Sequence, residues 1–107
     1  MTSEINIKVE LDEHKVPENI FWHASESNVP TVNKTRAMML AFWDDKDKSS
    51  LKIDLWTKEM TVDEMHIFFH QTIISMGETM LRSTNDEQVA KDLKDFADKF
   101  AKRLNLI

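Results

Sequence analysis

Leu51-Lys52-Ile53-Asp54-Leu55-Trp56-Thr57-Lys58-Glu59-Met60-Thr61-Val62-Asp63-Glu64-Met65 changes its pattern halfway along, and that change decides the fold class. Leu51, Ile53 and Leu55 alternate with Lys52, Asp54 and Trp56, as a strand with one apolar face requires. Thr61-Val62-Asp63-Glu64 is then a capping box: the Thr61 hydroxyl accepts from the Glu64 N–H, and the Glu64 carboxylate reaches back to the Thr61 N–H. Met60 and Met65 stand where a hydrophobic staple would place them. Asp63 and Glu64 lie at the favourable positive end of the helix dipole. A sheet ends here and a helix begins.

Working back toward the N-terminus, Asp44 to Ser50 is a polar turn, and Arg36 to Trp43 is a strand-length apolar run. Two such runs joined by a polar turn predict a hairpin. Further back, Ile5, Ile7, Val9 and Leu11 alternate with polar neighbours over Glu4 to Asp12, a strand with one buried face. His14 to Asn19 contains Pro17 and reads as a connector. Ile20 to Ser25 reads as a strand with Ile20, Trp22 and Ala24 on one face and Phe21 and His23 on the other. Ser25 to Thr35 is polar, carries Pro30 and reads as a loop.

Toward the C-terminus, Val62, Met65, Phe69, Ile73, Met76 and Met80 form one helical stripe. Ile67, Ile74 and Leu81 repeat every seven residues on another side, so this helix has two apolar sides to cover. Gly77, between the two, marks where a second helix would approach. Ser83 to Asn85 breaks the pattern, and Thr84 with Glu87 offers a second capping box. About Asp86 to Leu104, Val89, Leu93, Phe96, Ala97, Phe100 and Leu104 share a stripe, with charges of both signs elsewhere. The expectation is one α+β domain over residues 1–107, a four-stranded antiparallel sheet followed by two C-terminal helices.

Composition narrows the chemistry. The chain has 107 residues, 41% hydrophobic and 31% charged, with a formal charge of −5. An acidic balance argues against phosphate-backbone binding as the main task, since nucleic-acid binders concentrate positive charge. No cysteine is present, which removes disulfides, thiolate metal sites and a Cys nucleophile. A single glycine, Gly77, leaves no Gly-rich phosphate loop. The longest apolar run, Ala37 to Trp43, has seven residues, against the ~18 that suggest a membrane helix. Met1 to Ile5 lacks a basic n-region, so the expected location is the cytoplasm, or the inner membrane's periphery through a protein partner.

Three groups of residues have the makings of chemistry. His66 and His70 lie four apart on the first helix and could face one metal ion. However, Ile67 stands where the zinc-protease pattern needs Glu, and a third ligand would have to come from His14 or His23. Asp44, Asp45 and Asp47 suggest a calcium loop, but Ser50 replaces the required Gly and Trp56 the required Glu. Asp54 interrupts an apolar strand, yet alternation puts it on the outer face with Lys52 and Trp56. No sharp Gly-flanked turn presents a nucleophile. These departures leave no catalytic residue, cofactor or metal to expect. Phe21 and Trp56 fall opposite the cleaner apolar rows, where exposure would make a binding surface. The methionines near the packing faces suit an adaptable surface as well as they suit gap-filling.

The segment Leu51 to Met65, with Phe69-His70-Gln71-Thr72 and Ser75-Met76, resembles the gliding motility protein GldC, a family of Bacteroidetes. Val9-Glu10-Leu11-Asp12-Glu13 and Val16-Pro17-Glu18 extend the likeness. It implies a small accessory protein of the gliding and type IX secretion machinery, with no catalytic or cofactor residue to carry over. The expected partner is a protein of that apparatus, with Phe21, Trp56, Ile67, Ile74 and Leu81 as its contacts. The Ile67, Ile74, Leu81 row reads equally as a homodimer seam or as the packing site of the last helix. Two alternatives are a secretion chaperone holding unfolded clients and a metal-dependent enzyme using His66 and His70.

Overall fold

The computed structural model describes residues 1–25 and 31–107. The order is β1 (Ile5–Leu11), β2 (Pro17–Ala24), β3 (Asn33–Thr35), β4 (Ala37–Asp44), β5 (Ser49–Trp56), α1 (Val62–Thr84) and α2 (Glu87–Arg103). Strands first and helices last is the α+β arrangement expected. Two compact units divide the chain, Met1–Met60 and Thr61–Ile107.

In the first unit, the expected single four-stranded sheet is replaced by a three-stranded sheet, β1-β2-β3, and a two-stranded one, β4-β5, all antiparallel. The break falls at Arg36, one residue between β3 and β4. There the Thr35 hydroxyl donates to the Ala37 carbonyl at 2.9 Å, occupying an acceptor that a ladder would otherwise use. The Thr57 N–H donates to the Arg36 carbonyl at 2.8 Å, so the β4–β5 ladder starts afresh on the far side. Residues 33–35, Asn-Lys-Thr, have no apolar alternation, which is why β3 reads as loop. The rest of the expected loop, residues 26–30, lies outside the described residues.

Strand β2 begins at Pro17 rather than Ile20, since a proline can open a strand without breaking its ladder. The turn before it is built on Asp12, whose carboxylate accepts from the N–H groups of His14 and Val16 at 2.8 and 2.9 Å. Lys15 takes a left-handed conformation in this turn, with φ 64°. Ile20, flanked by Val9 on β1 and Thr35 on β3, is fully buried, as the middle of the middle strand should be. The expected buried row on β1 is largely open: Ile5 is 75% exposed and Leu11 51%. Among the described residues, β1 is an edge strand with a neighbour on one side only.

In the second unit, Thr61 caps α1 with both arms of the expected box at 3.1 Å. Asn85 ends that helix in the left-handed region, its N–H donating to Leu81. The second cap differs from the expected Thr84 box. Asp86 holds the N-terminus of α2, accepting from the Val89 N–H at 3.1 Å. Thr84 is still inside α1, and its hydroxyl donates to the Met80 carbonyl at 2.7 Å. The helices meet through small residues: Gly77 on α1 is buried against Ala90 and Leu93, and Ala97 and Ala101 on α2 are fully buried.

Candidate protein-binding surface

Directly paired residues of antiparallel strands point to one side, so register assigns the faces. In the β4–β5 hairpin the pairs Met38–Leu55, Leu40–Ile53 and Phe42–Leu51 make one apolar face. The other face carries Ala37–Trp56, Met39–Asp54, Ala41–Lys52 and Trp43–Ser50. At the turn end of the hairpin both faces are open to solvent. Phe42, Leu51 and Ile53 are each about half exposed, and Trp43 is 63% exposed.

Trp56, chosen from sequence, is 57% exposed beside Ala37. Along its strand, the Lys52 ammonium holds Asp54 at 2.7 Å, as alternation predicts for an outer face. Phe21 pairs with Lys8 on one side and Lys34 on the other. It lines a shallow depression with Asn6, Lys8, Glu10 and His23. Phe21 therefore belongs to the three-stranded sheet and Trp56 to the hairpin. A second depression, about 190 Å³, is lined by Ile5, Ile7, Ile20, Trp22, Thr35, Ala37 and Met38. The sequence pattern puts Ile5 and Ile7 on a buried face of β1 and Trp22 on the Ile20 face of β2. Alternation locates such a row but carries no sign of whether anything covers it.

On α1, the strip holding Gly77 faces α2, and the apolar residues to either side stay open. Ile67, Ile74 and Leu81 are 38–44% exposed on one flank, and Val62, Phe69 and Met76 are exposed on the other. Val89 and Phe96 of α2 are exposed too, with Phe96 tilted against Phe100 at 6.2 Å between ring centres.

The titratable groups do structural work where their partners are resolved. Lys58 forms an ion pair with Asp12. That hydrogen bond first, and the Val16 and His14 N–H groups after it, hold the Asp12 carboxyl below its ordinary range. The same contact raises the Lys58 ammonium above its usual value. Asp44 accepts from the Lys46 N–H at 3.0 Å and Lys48 bonds Asp45 at 3.2 Å, so the acidic run shapes the hairpin turn. His66 and His70 are half-buried on α1. Among the described residues, no three His, Asp or Glu side chains converge to hold a metal ion. Among the described residues, no helix is long and apolar enough to cross a membrane.

A family model described as gliding motility-associated protein GldC-like matches residues 17–106, and the chain belongs to this GldC-like family. No curated protein matches the chain, and no solved structure does.

Proposed function

We propose that the chain is a non-enzymatic accessory of a gliding or type IX secretion apparatus, acting by holding a protein component of that apparatus. Family membership supports the process. The observation that carries the mechanism is the amount of large apolar side chain left open on regular elements. Trp43, Trp56, Phe42, Leu51 and Ile53 on the hairpin, and Ile67, Ile74 and Leu81 on α1, all exceed a third of full exposure. Phe42, Leu51 and Ile53 share one face of the hairpin, and open apolar surface gathered on one face of an element marks an interaction site. Aromatic anchors such as Trp carry a disproportionate share of binding energy. On this reading the chain works in the cytoplasm, and any association with the inner membrane runs through its partner.

The test is crosslinking in cells of a tagged copy at native expression, with the captured proteins identified by mass spectrometry. Recovery of one motility or envelope component, lost on Phe21→Ala, Trp56→Ala or Ile74→Asp in variants that still fold, is the expected result. Recovery of many unrelated exported proteins would replace the adaptor with a secretion chaperone.

A further inference from the structure

β1 presents a free edge, and its sequence is complementary to itself. β1 pairs only with β2 among the described residues. The Ser25 N–H donates to the Glu4 carbonyl at 2.9 Å, which fixes the direction of the backbone groups. By alternation, the N–H and C=O groups of Ile5, Ile7, Val9 and Leu11 point away from β2, toward the free side. An open edge of this length is a template for another strand.

We infer that this edge pairs with the β1 edge of a second copy of the chain, antiparallel, about a two-fold axis through Val9. Ile7-Lys8-Val9-Glu10-Leu11 reversed against itself sets Ile7 opposite Leu11, Lys8 opposite Glu10 and Val9 opposite Val9. The three apolar pairs then lie on one face and the two opposite-charge pairs on the other. Val9 occupies a hydrogen-bonded position. Lys8 and Glu10 occupy the intervening positions, where the Cα atoms of facing residues are about 4.5 Å apart and side chains meet closest.

Neighbouring registers are worse. An axis through Lys8 opposes two lysines, one through Glu10 opposes two glutamates, and one through Ile7 sets Glu10 against Glu4. β1 also has an unspent cation. Lys8 forms no ion pair among the described residues, while Glu10 accepts one bond, from the Asn19 amide at 3.1 Å. The edge of β5 carries a similar Lys52-Ile53-Asp54 pattern, but there the two charges already bind each other within the strand. Residues 5–11 precede the family-matched segment, so the inference rests on this chain's own residues.

The test is sedimentation equilibrium of the full chain and its charge variants. The wild type is expected to form a dimer. Lys8→Glu turns both attractive pairs into repulsive ones and weakens dimerisation roughly tenfold or more. Lys8→Glu with Glu10→Lys restores it. A second readout does not depend on charge. Because the chain has no cysteine, Val9→Cys supplies a single thiol on the axis and should oxidise to a covalent dimer. Ile5→Cys should not, since eight residues of strand separate its two copies by roughly 27 Å, against about 7 Å between Cα atoms at most for a disulfide. A monomeric wild type, a dimer indifferent to Lys8→Glu, or equal crosslinking at positions 5 and 9 would overturn the inference.

Discussion

Gly77 is the only glycine in the chain, and nothing in its backbone requires one, since no glycine has a positive φ. It sits in the interior of α1, where glycine costs about 1 kcal/mol relative to alanine. A methyl group added there would stand 3.5 Å from the Ala90 carbonyl oxygen and 3.6 Å from the Leu93 Cβ, both ordinary contacts. Gly77 is also buried, so that methyl leaves water and contributes up to about 0.8 kcal/mol more. Gly77→Ala should therefore stabilise the helical unit by about 1–2 kcal/mol. At ~4–8 °C per kcal/mol for a small domain, its melting temperature rises by roughly 5–15 °C. The assay is thermal unfolding followed by far-ultraviolet circular dichroism, with urea titration as the second measure. Gly77→Leu should do the opposite, because its longer chain meets the α2 backbone and overpacking costs about 1–3 kcal/mol. A lower melting temperature for Gly77→Ala would refute the reasoning. It would mean that α1 and α2 approach more closely than a methyl allows.

Ile20→Ala, at a fully buried position, should cost about 2–5 kcal/mol in urea unfolding, and Ile5→Ala, at a mostly exposed one, less than about 1. Equal losses would mean that the two sites are buried alike. Asp12 has its pKa lowered in the folded state, so its contribution is present above the unfolded value near 3.8 and is lost as pH falls through the lower folded value. Urea midpoints measured from neutral pH downward should fall more steeply below about pH 4 for the wild type than for Asp12→Asn. Lys58 has a raised pKa, so its contribution is complete below the unfolded value near 10.5 and fades at more alkaline pH. Asp86→Ala should cost about 1 kcal/mol by uncapping α2, and Asp86→Asn much less, by the same unfolding assay.

Local chemistry was legible where one or two residues decide the outcome. The Thr61–Glu64 box needs four consecutive residues and forms as its spacing requires. The Asp44–Ser49 turn likewise follows from a polar run between two strands. The errors arose where a distant partner decides. Thr35 looks like the end of a loop in sequence, but pairing with Ile20 makes it strand. A single sheet is the natural expectation because nothing in Arg36 announces that the residues on either side of it join different sheets. The break is a matter of pairing: Thr35 pairs with Ile20, whereas Ala37 pairs with Trp56. At the second helix, two capping residues stand two positions apart, and Asp86 holds the cap because Thr84 is still in the last turn of α1. The β1 row was legible as apolar but not as exposed, because exposure is a property of neighbours.

The two kinds of surface proposed above, an edge for a second copy and faces for a partner, make separable demands on the chain. Edge pairing uses the backbone groups of β1 and leaves the hairpin residues Phe42, Leu51, Ile53 and Trp56 untouched. It also joins Ile7 of one copy to Leu11 of the other, extending a single apolar row across the axis. Two partner sites on one dimer would then bind a repeated or dimeric target more tightly than either alone, without any new contact. Lys8→Glu should therefore weaken capture of such a partner through lost avidity, while Trp56→Ala weakens it with the dimer intact. The Val9→Cys disulfide dimer separates this arrangement from its rival. If the covalently closed dimer still captures the partner, edge and face act independently. If closing the edge abolishes capture while the reduced form retains it, the edge of β1 is the strand on which the partner docks, and the second copy only competes for it.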